Sequence, residues 1–187
     1  TDDACAVEHA ESLMGMRLRL SEKRQPGLMN INYNDELAMG LENGSSLGTA
    51  AVISPCLEVE DPGTRTLATW YATGRPAAAV KEFKHWRSIF FPMPPNNADI
   101  FRAIARTSGC HIWTDAACVV FANRSLLAVH LSASADATRI HLPEPMTVID
   151  AFSGEDIVKN GDQFVIPCTG KNTTLLFRLH RSAQFPK

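Results

Sequence analysis

The 187-residue sequence has no basic stripe, no long apolar run and no cluster of metal-ligating residues. Its 18 lysines and arginines are scattered and its formal net charge is -2, so a nucleic-acid partner, which needs clustered positive charge, is set aside. No apolar run approaches the roughly 20 residues of a membrane span. The chain starts at Thr1 without a signal-like segment, which suggests a processed, trimmed or excised fragment.

The cysteines also lack a recognisable motif. They are odd in number, without C-x-x-C spacing or a neighbouring histidine pair, so no metal or cofactor is predicted and each is interpreted as a structural thiol. Cys110 and Cys118 flank one predicted turn and are placed to meet, but a chain of this size folds without a disulfide. The pattern therefore indicates no cellular compartment. The five cysteines are Cys5, Cys56, Cys110, Cys118 and Cys168.

The hydrophobic fraction of 45% is enough to bury a core. The spacing of the apolar residues changes along residues 98–131. Apolar residues at helical spacing, among them Ile100, Phe101 and Ile104, predict a short amphipathic helix. Asn96 or Asn97 is predicted to cap its start. Ser108-Gly109 is predicted to close it, because glycine readily adopts the left-handed conformation that helix ends use.

Residues after this helix change to the alternation of β-strands. Val119 and Phe121, then residues 127, 129 and 131, alternate around the polar segment 122–125, which predicts a hairpin with one buried face. From Cys118 onward no helical pattern occurs. Strands predicted at residues 138–142, 146–152, 163–166 and 173–179 are separated by glycine-containing turns, which is typical of a small antiparallel sheet or sandwich.

The first half of the chain mixes predicted strands and helices. The run at residues 87–91 is continuously apolar at its end, as buried parallel strands are. Because this run leads into the helix at residue 98, the pattern predicts the later part of an open α/β sheet without its opening strands. We therefore predict an α/β domain at residues 1–113 and an antiparallel β domain at residues 114–187.

Few polar residues stand out as candidates for chemistry. His111 and Asp115 are interpreted as a local hydrogen bond rather than an acid/base pair, because no serine or cysteine nucleophile elbow accompanies them. Acidic residues 58, 60 and 61 are interpreted as a solvated rim rather than a catalytic carboxylate cluster. Cys56, after Ser54-Pro55, is the nearest thing to a nucleophile, but it lacks the G-x-C-x-G setting. No catalytic residue is assigned.

Three segments carry a resemblance to a known family: GRPAAAVKEF at residues 74–83, IARTSGCHIW at residues 104–113 and VVFANRSLL at residues 119–127. They resemble the C-terminal region of β-galactosidase-like glycoside hydrolases (family 42-like). The resemblance covers about residues 11–179. It implies a trimerisation domain with a partial class I glutamine-amidotransferase-like (flavodoxin-like) sheet, followed by a small all-β domain. It implies no chemistry here, since in those hydrolases the catalytic carboxylates lie in a preceding (β/α)8 barrel.

Two functions are compatible with this resemblance. The first is a noncatalytic C-terminal region that binds other chains of the same protein and its N-terminal catalytic region. Its predicted interface contains the aromatic residues Trp70, Tyr71, Trp86 and Phe91. The alternative is a carbohydrate-binding β module with an α/β spacer, in which Trp70, Tyr71 and Trp86 are candidates for stacking on a sugar.

An exposed sugar-binding platform is not predicted on the β domain. Strand alternation assigns four of its phenylalanines to the buried face: Phe121, Phe152, Phe164 and Phe177. An enzyme in its own right is the weakest of the three hypotheses, because the sequence offers neither paired catalytic carboxylates nor a nucleophile elbow.

Overall fold

The structure is a computed structural model that describes residues 7–38, 41, 46–131, 137–167 and 172–181. The chain divides into two compact units, which are residues 1–109 (unit 1) and residues 110–187 (unit 2). The first helix begins, in the described part, at Val7. Cys5 and Cys168 lie outside the described residues.

Unit 1 is built mainly from antiparallel strands. Its elements in the described residues are α1 (Val7–Met14), β1 (Leu18–Ser21), β2 (Gln25–Ile31), β3 (Ser46–Ile53), β4 (Cys56–Val59), β5 (Arg65–Trp70), β6 (Pro76–Glu82), β7 (Arg87–Phe90) and α2 (Ala98–Thr107), together with one 3-10 turn (Glu36–Ala38). A five-stranded sheet has the order β3-β2-β5-β6-β7, and β1 pairs with β4.

The predicted α/β, flavodoxin-like sheet is wrong, because every strand pair in the described part of unit 1 is antiparallel. The apolar run at residues 87–91 includes β7, which forms an antiparallel hairpin with β6. Both faces of β6 are covered. Ala78 and Val80 belong to the main core cluster with Ile100 of α2, and Ala79 belongs to a second cluster with residues of β1 and β4. A doubly covered antiparallel sheet thus gives the same apolar sequence pattern as a parallel one.

Helix α2 follows its prediction closely. The Asn97 side chain accepts a hydrogen bond from the Asp99 backbone N–H at 2.8 Å, and Ser108 ends the helix before Gly109, whose φ is +73°. Ile100 is buried as expected, but Phe101 is exposed. Since Phe101 is about 100° further around the helix than Ile100, it lies outside the stripe that the core covers.

Unit 2 contains only strands in its described part, which confirms the predicted antiparallel β character. The strands are β8 (Val119–Ala122), β9 (Leu126–Leu131), β10 (Ala137–Asp150), β11 (Asp156–Pro167) and β12 (Thr173–Arg181). Their order in the sheet is β11-β10-β12-β9-β8, and all of these pairs are antiparallel.

The long strand β10 allows one sheet to enclose a core. Its first half pairs only with β11, and its second half pairs with both β11 and β12. The register shifts between His141 and Met146, where two prolines interrupt the strand. Ile140 from the first half and Val148 from the second belong to the same core cluster. Unit 2 therefore resembles a small sandwich made from one bent sheet.

The predicted hairpin between β8 and β9 is confirmed. Residues 127, 129 and 131 are buried on one face of β9. Val119 and Phe121 were predicted on that same face and are instead exposed. Phe121 pairs with Ala128, while Val120 pairs with the buried Val129, so it is Val120 that faces the core.

Candidate functional site

The four aromatic residues predicted for an interface lie in different environments. Trp70 is fully buried, and its indole N–H donates to the Leu57 carbonyl at 3.0 Å. Phe91 is partly buried and packs against the main core of unit 1. Tyr71 and Trp86 are 64% and 52% exposed. Only these last two therefore present most of their side chains to solvent, and their role in an interface stays a prediction.

Trp86 is held in place by stacking. Its ring lies parallel to the Phe83 ring, with centroids 4.0 Å apart and an interplanar angle of 5°. The Phe83 N–H donates to the Trp86 carbonyl at 2.9 Å, which closes the turn between β6 and β7. We call Phe83 and Trp86 the aromatic platform. Since one ring supports the other, the platform offers a flat apolar surface with little side-chain freedom.

A close approach to Gly15 fixes the base of the aromatic platform. Gly15 follows α1 with a φ of +64°, and a Cβ atom at this position would lie 2.6 Å from the Phe83 ring. Lys81 lies beside the same ring, with its ammonium 5.5 Å from the ring centroid and 2.7 Å from the Gly15 carbonyl. Glycine is required here by both the backbone angle and the available space.

Asp61 holds Lys81 in this position. The Asp61 carboxylate accepts from the Lys81 ammonium at 2.7 Å, from the Gly63 N–H at 2.8 Å and from the Arg17 N–H at 3.1 Å. The Lys81 hydrogen bond, supported by the two backbone N–H groups, lowers the pKa of Asp61 from 3.8 to about 2. A carboxylate with this pKa is ionised at neutral pH and serves as a structural anion rather than as a proton donor.

The other two acidic residues of the predicted rim are bound to arginines. Glu58 is buried and pairs with Arg19, and its carboxylate lies 3.8 Å from the Arg75 guanidinium. Glu60 is half exposed and lies 3.0 Å from Arg19. The hydrogen bond that the Arg19 guanidinium donates to the Glu58 carboxylate raises the pKa of Arg19. The solvated-rim interpretation therefore fits Glu60 but is wrong for Glu58, whose burial is compensated by two guanidinium groups.

Cys56 is a buried thiol on the wall of an apolar cleft of about 510 Å³. The Gln25 side-chain amide donates to its sulfur at 3.0 Å, and the thiol lies 3.7 Å from the Ser21 carbonyl. An amide cannot take up the thiol proton as a general base would. This geometry supports the interpretation of Cys56 as a structural thiol.

The remaining candidates lie on the surface of unit 2. His111 and Asp115 are both exposed, and His111 Nε2 lies 2.9 Å from the His141 carbonyl. Cys110 and Cys118 are not joined by a disulfide. Within the described ranges, no group of three or more histidine, cysteine, aspartate or glutamate side chains is arranged to hold a metal ion.

Unit 2 exposes aromatic residues that sequence patterns assigned to its core. Phe164 and Phe177 are buried, as predicted, and their rings are in edge-to-face contact. Phe121 and Phe152 are 71% and 84% exposed, so their predicted burial is wrong. Phe152 lies in the turn between β10 and β11, outside the alternation of either strand. Phe121 borders a concavity of about 230 Å³ whose wall includes Leu176.

Comparisons with known proteins leave the family open. No protein-family model matches the chain, and no curated protein matches it either. Among solved structures, it is similar to a β-galactosidase from Rahnella sp. R3, with 14% identity and a TM-score of 0.46. The alignment covers 90% of this chain and 24% of that one, so the chain spans about a quarter of that protein. The similarity fits a β-galactosidase-like region only loosely.

Neither helix in the described ranges has the length and apolar character of a membrane span.

Proposed function

We propose that this chain is a noncatalytic region of a β-galactosidase-like glycoside hydrolase that binds other copies of the same protein. The family part of this proposal depends on the segments at residues 74–83, 104–113 and 119–127. The observation that carries the binding part is the aromatic platform in the β6–β7 turn. Tyr71 is also exposed, but it lies in the β5–β6 turn at the opposite end of β6. Rigid aromatic residues are enriched at interface centres because they bury a large area at low entropic cost.

The paired charges of unit 1 support binding rather than catalysis. Lys81 and Asp61 neutralise each other, and Glu58 is paired with Arg19. A desolvated interface tolerates charges that are already paired far better than unpaired ones. The same pairing withdraws these carboxylates from the proton transfer and nucleophilic attack that glycoside hydrolysis demands. The proposed partners are a second copy of the chain and the catalytic region of the same protein.

Replacing Trp86 with alanine is expected to weaken self-association at least about tenfold, because it removes the outer ring of the aromatic platform. Sedimentation velocity over a concentration series measures the change. Phe101→Ala is the matched control, since Phe101 is 57% exposed in the same unit but lies on α2. A wild-type chain that stays monomeric at micromolar concentration, or equal effects of the two substitutions, would refute the proposal.

The isolated chain is expected to show no turnover of aryl galactosides above the buffer rate. A p-nitrophenyl galactoside assay at high protein concentration tests this. Activity that co-purifies with the chain and is lost in Glu58→Gln or Glu60→Gln would show that the acidic residues beside Arg19 form an active site. Activity unchanged by both substitutions, and removed by further purification, would identify a contaminant.

The exposure of Phe121 and Phe152 favours carbohydrate binding as a second candidate function. Exposed aromatic rings stack on the apolar faces of sugars, and the concavity beside Phe121 offers a surface of suitable size. Titration of galactose or lactose into the labelled chain, followed by NMR, discriminates between the two functions. Shifts confined to residues around Phe121 and absent from Phe121→Ala would favour the second.

A further inference from the structure

Strand β8 is an outer strand without the usual protection against pairing. The five-stranded sheets have four outer strands in the described part of the chain, and three of them are protected. Strand β3 has a register shift opposite Gly27, β7 begins with the ion-paired Arg87, and β11 contains Lys159 together with register shifts. Strand β8 is regular and contains neither charge nor proline. Such an edge is a template for another strand.

The ladder between β8 and β9 identifies the backbone groups at this free edge. The Asn123 N–H donates to the Leu126 carbonyl at 2.9 Å, so Asn123 and Leu126 form a hydrogen-bonded pair. Hydrogen-bonded and non-hydrogen-bonded pairs alternate along an antiparallel ladder. Phe121 therefore bonds to β9, whereas the N–H and C=O groups of Val120 and Ala122 point away from it. A bound sugar would not need this row of backbone groups, but a strand would.

The side chains on the outer face of β8 are apolar and exposed. Val119 and Phe121 are 47% and 71% exposed, and they lie on the same face because they are two residues apart. The concavity beside Phe121 is also lined by Leu126, Ala128 and Leu176. An incoming strand would thus find both backbone partners and a neighbouring apolar surface.

We propose that β8 pairs with β8 of a second copy of this chain, antiparallel and about a two-fold axis centred on Val120. The axis is perpendicular to the sheet, so the outer faces of the two copies lie on the same side of the combined sheet. Pairing on the same face places Val120 opposite the partner's Val120, and Val119 opposite the partner's Phe121. The two five-stranded sheets then continue as one ten-stranded sheet.

Charges at the two ends of β8 are complementary in this arrangement. Asp115 precedes the strand and Arg124 follows it, and both are exposed. Antiparallel pairing brings the acidic end of one copy beside the basic end of the other. The edge of β8 is therefore complementary to the same edge of a second copy of the chain. The match includes the backbone groups, the apolar side chains and the charged residues. This surface belongs to unit 2, and the inference does not rest on the proposed role of Trp86 in unit 1.

The pairing is expected to be weak. Two four-residue strands and their neighbouring side chains bury less than the roughly 800 Å² per partner of a standard interface, so we expect a dimer populated at about 10–100 μM. Phe121→Lys should raise its dissociation constant at least about tenfold, since it places a charge against the partner's Val119. Phe152→Lys is the matched control, because it changes an equally exposed phenylalanine in the β10–β11 turn.

Cross-linking tests the register directly. One chain carries Val119→Cys and another Phe121→Cys, in a background of Cys5→Ser, Cys110→Ser, Cys118→Ser and Cys168→Ser. Opposed residues in a non-hydrogen-bonded pair have Cα atoms about 4.5 Å apart, within the range of a disulfide. Residues of the same number lie two positions out of register, with Cα atoms about 7–8 Å apart, beyond that range. Both chains also carry Trp86→Ala, so that association through unit 1 does not contribute.

A disulfide-linked dimer is expected only when the two chains are mixed, and Phe152→Lys should leave its yield unchanged. Equal cross-linking of each chain alone, or none at 100 μM mixed chain, would overturn the proposed pairing. A sugar that shifts the NMR signals around Phe121 while the chain stays monomeric at 100 μM would overturn it as well and assign this face to carbohydrate binding.

Discussion

Trp70→Ala is expected to destabilise unit 1 by about 4 kcal/mol, the typical cost of removing a large buried aromatic side chain. Trp70 is fully buried in the main core cluster, and its indole N–H satisfies the Leu57 carbonyl. The substitution leaves both a cavity and an unpaired acceptor. Because stabilities of small units are commonly about 5–15 kcal/mol, the substitution should remove a large fraction of the free energy of unfolding of unit 1.

Chemical denaturation followed by far-UV circular dichroism measures this effect. The control is Tyr71→Ala, the exposed neighbour of Trp70, which should change the free energy of unfolding by no more than about 0.5 kcal/mol. If Trp70→Ala instead left stability intact and abolished self-association, Trp70 would be an interface residue, and its buried position would be wrong.

Asp61→Asn is expected to destabilise unit 1 by about 2 kcal/mol at neutral pH, because hydrogen bonds to charged groups are the stronger ones and Lys81 loses its counter-charge. The loss should also loosen the aromatic platform, since Lys81 lies beside the Phe83 ring. Glu60→Gln is the control, as Glu60 forms only a half-exposed ion pair with Arg19, worth roughly 0–1 kcal/mol.

The effect of Asp61→Asn should depend on pH in a defined direction. The pKa of Asp61 falls from 3.8 to about 2 on folding, so its carboxylate stabilises the folded state above pH 4. That contribution decreases as the pH falls from about 4 to about 2, where the folded state also takes up the proton. Urea titrations at pH 7, 4 and 2.5 should show the wild type converging on the variant. A constant difference would exclude Asp61 as the titrating group.

Local signals in the sequence predicted local structure well. The limits of α2 were predicted from Asn96 or Asn97 at its start and Ser108-Gly109 at its end, and the β8–β9 hairpin was predicted from the polar turn between its strands. Such predictions succeed because caps and turns depend on a few adjacent residues. Strand direction in unit 1 was not predictable in this way. The apolar sequence of β6 indicates that both of its faces are covered, but it does not indicate which strands pair with β6 or in which direction they run.

The candidate sites show the same division. Trp70 and Tyr71 are adjacent in the sequence, so an extended chain must point them to opposite sides, and the pattern could have excluded a shared interface. The support of Trp86 could not be deduced, because it requires Phe83 to lie over Gly15, which is 68 positions earlier in the chain. Phe121 was assigned to the wrong face because the predicted alternation was shifted by one residue, an error to which a four-residue strand is especially prone.

The position of β9 in the sheet has a consequence for synthesis. Strand β9 pairs with β12, where Leu127 lies opposite Phe177, and the whole β10–β11 hairpin lies between them in the sequence. The two hairpins, β8–β9 and β10–β11, can close as soon as they emerge, but β12 must arrive before they join. At a synthesis rate of about 5–20 residues per second, β12 emerges from the ribosome some seconds after β9, and the buried face of β9 lacks this partner during that time. A chain that stopped before Thr173 would therefore leave β9 without β12 and expose the core of unit 2 to aggregation.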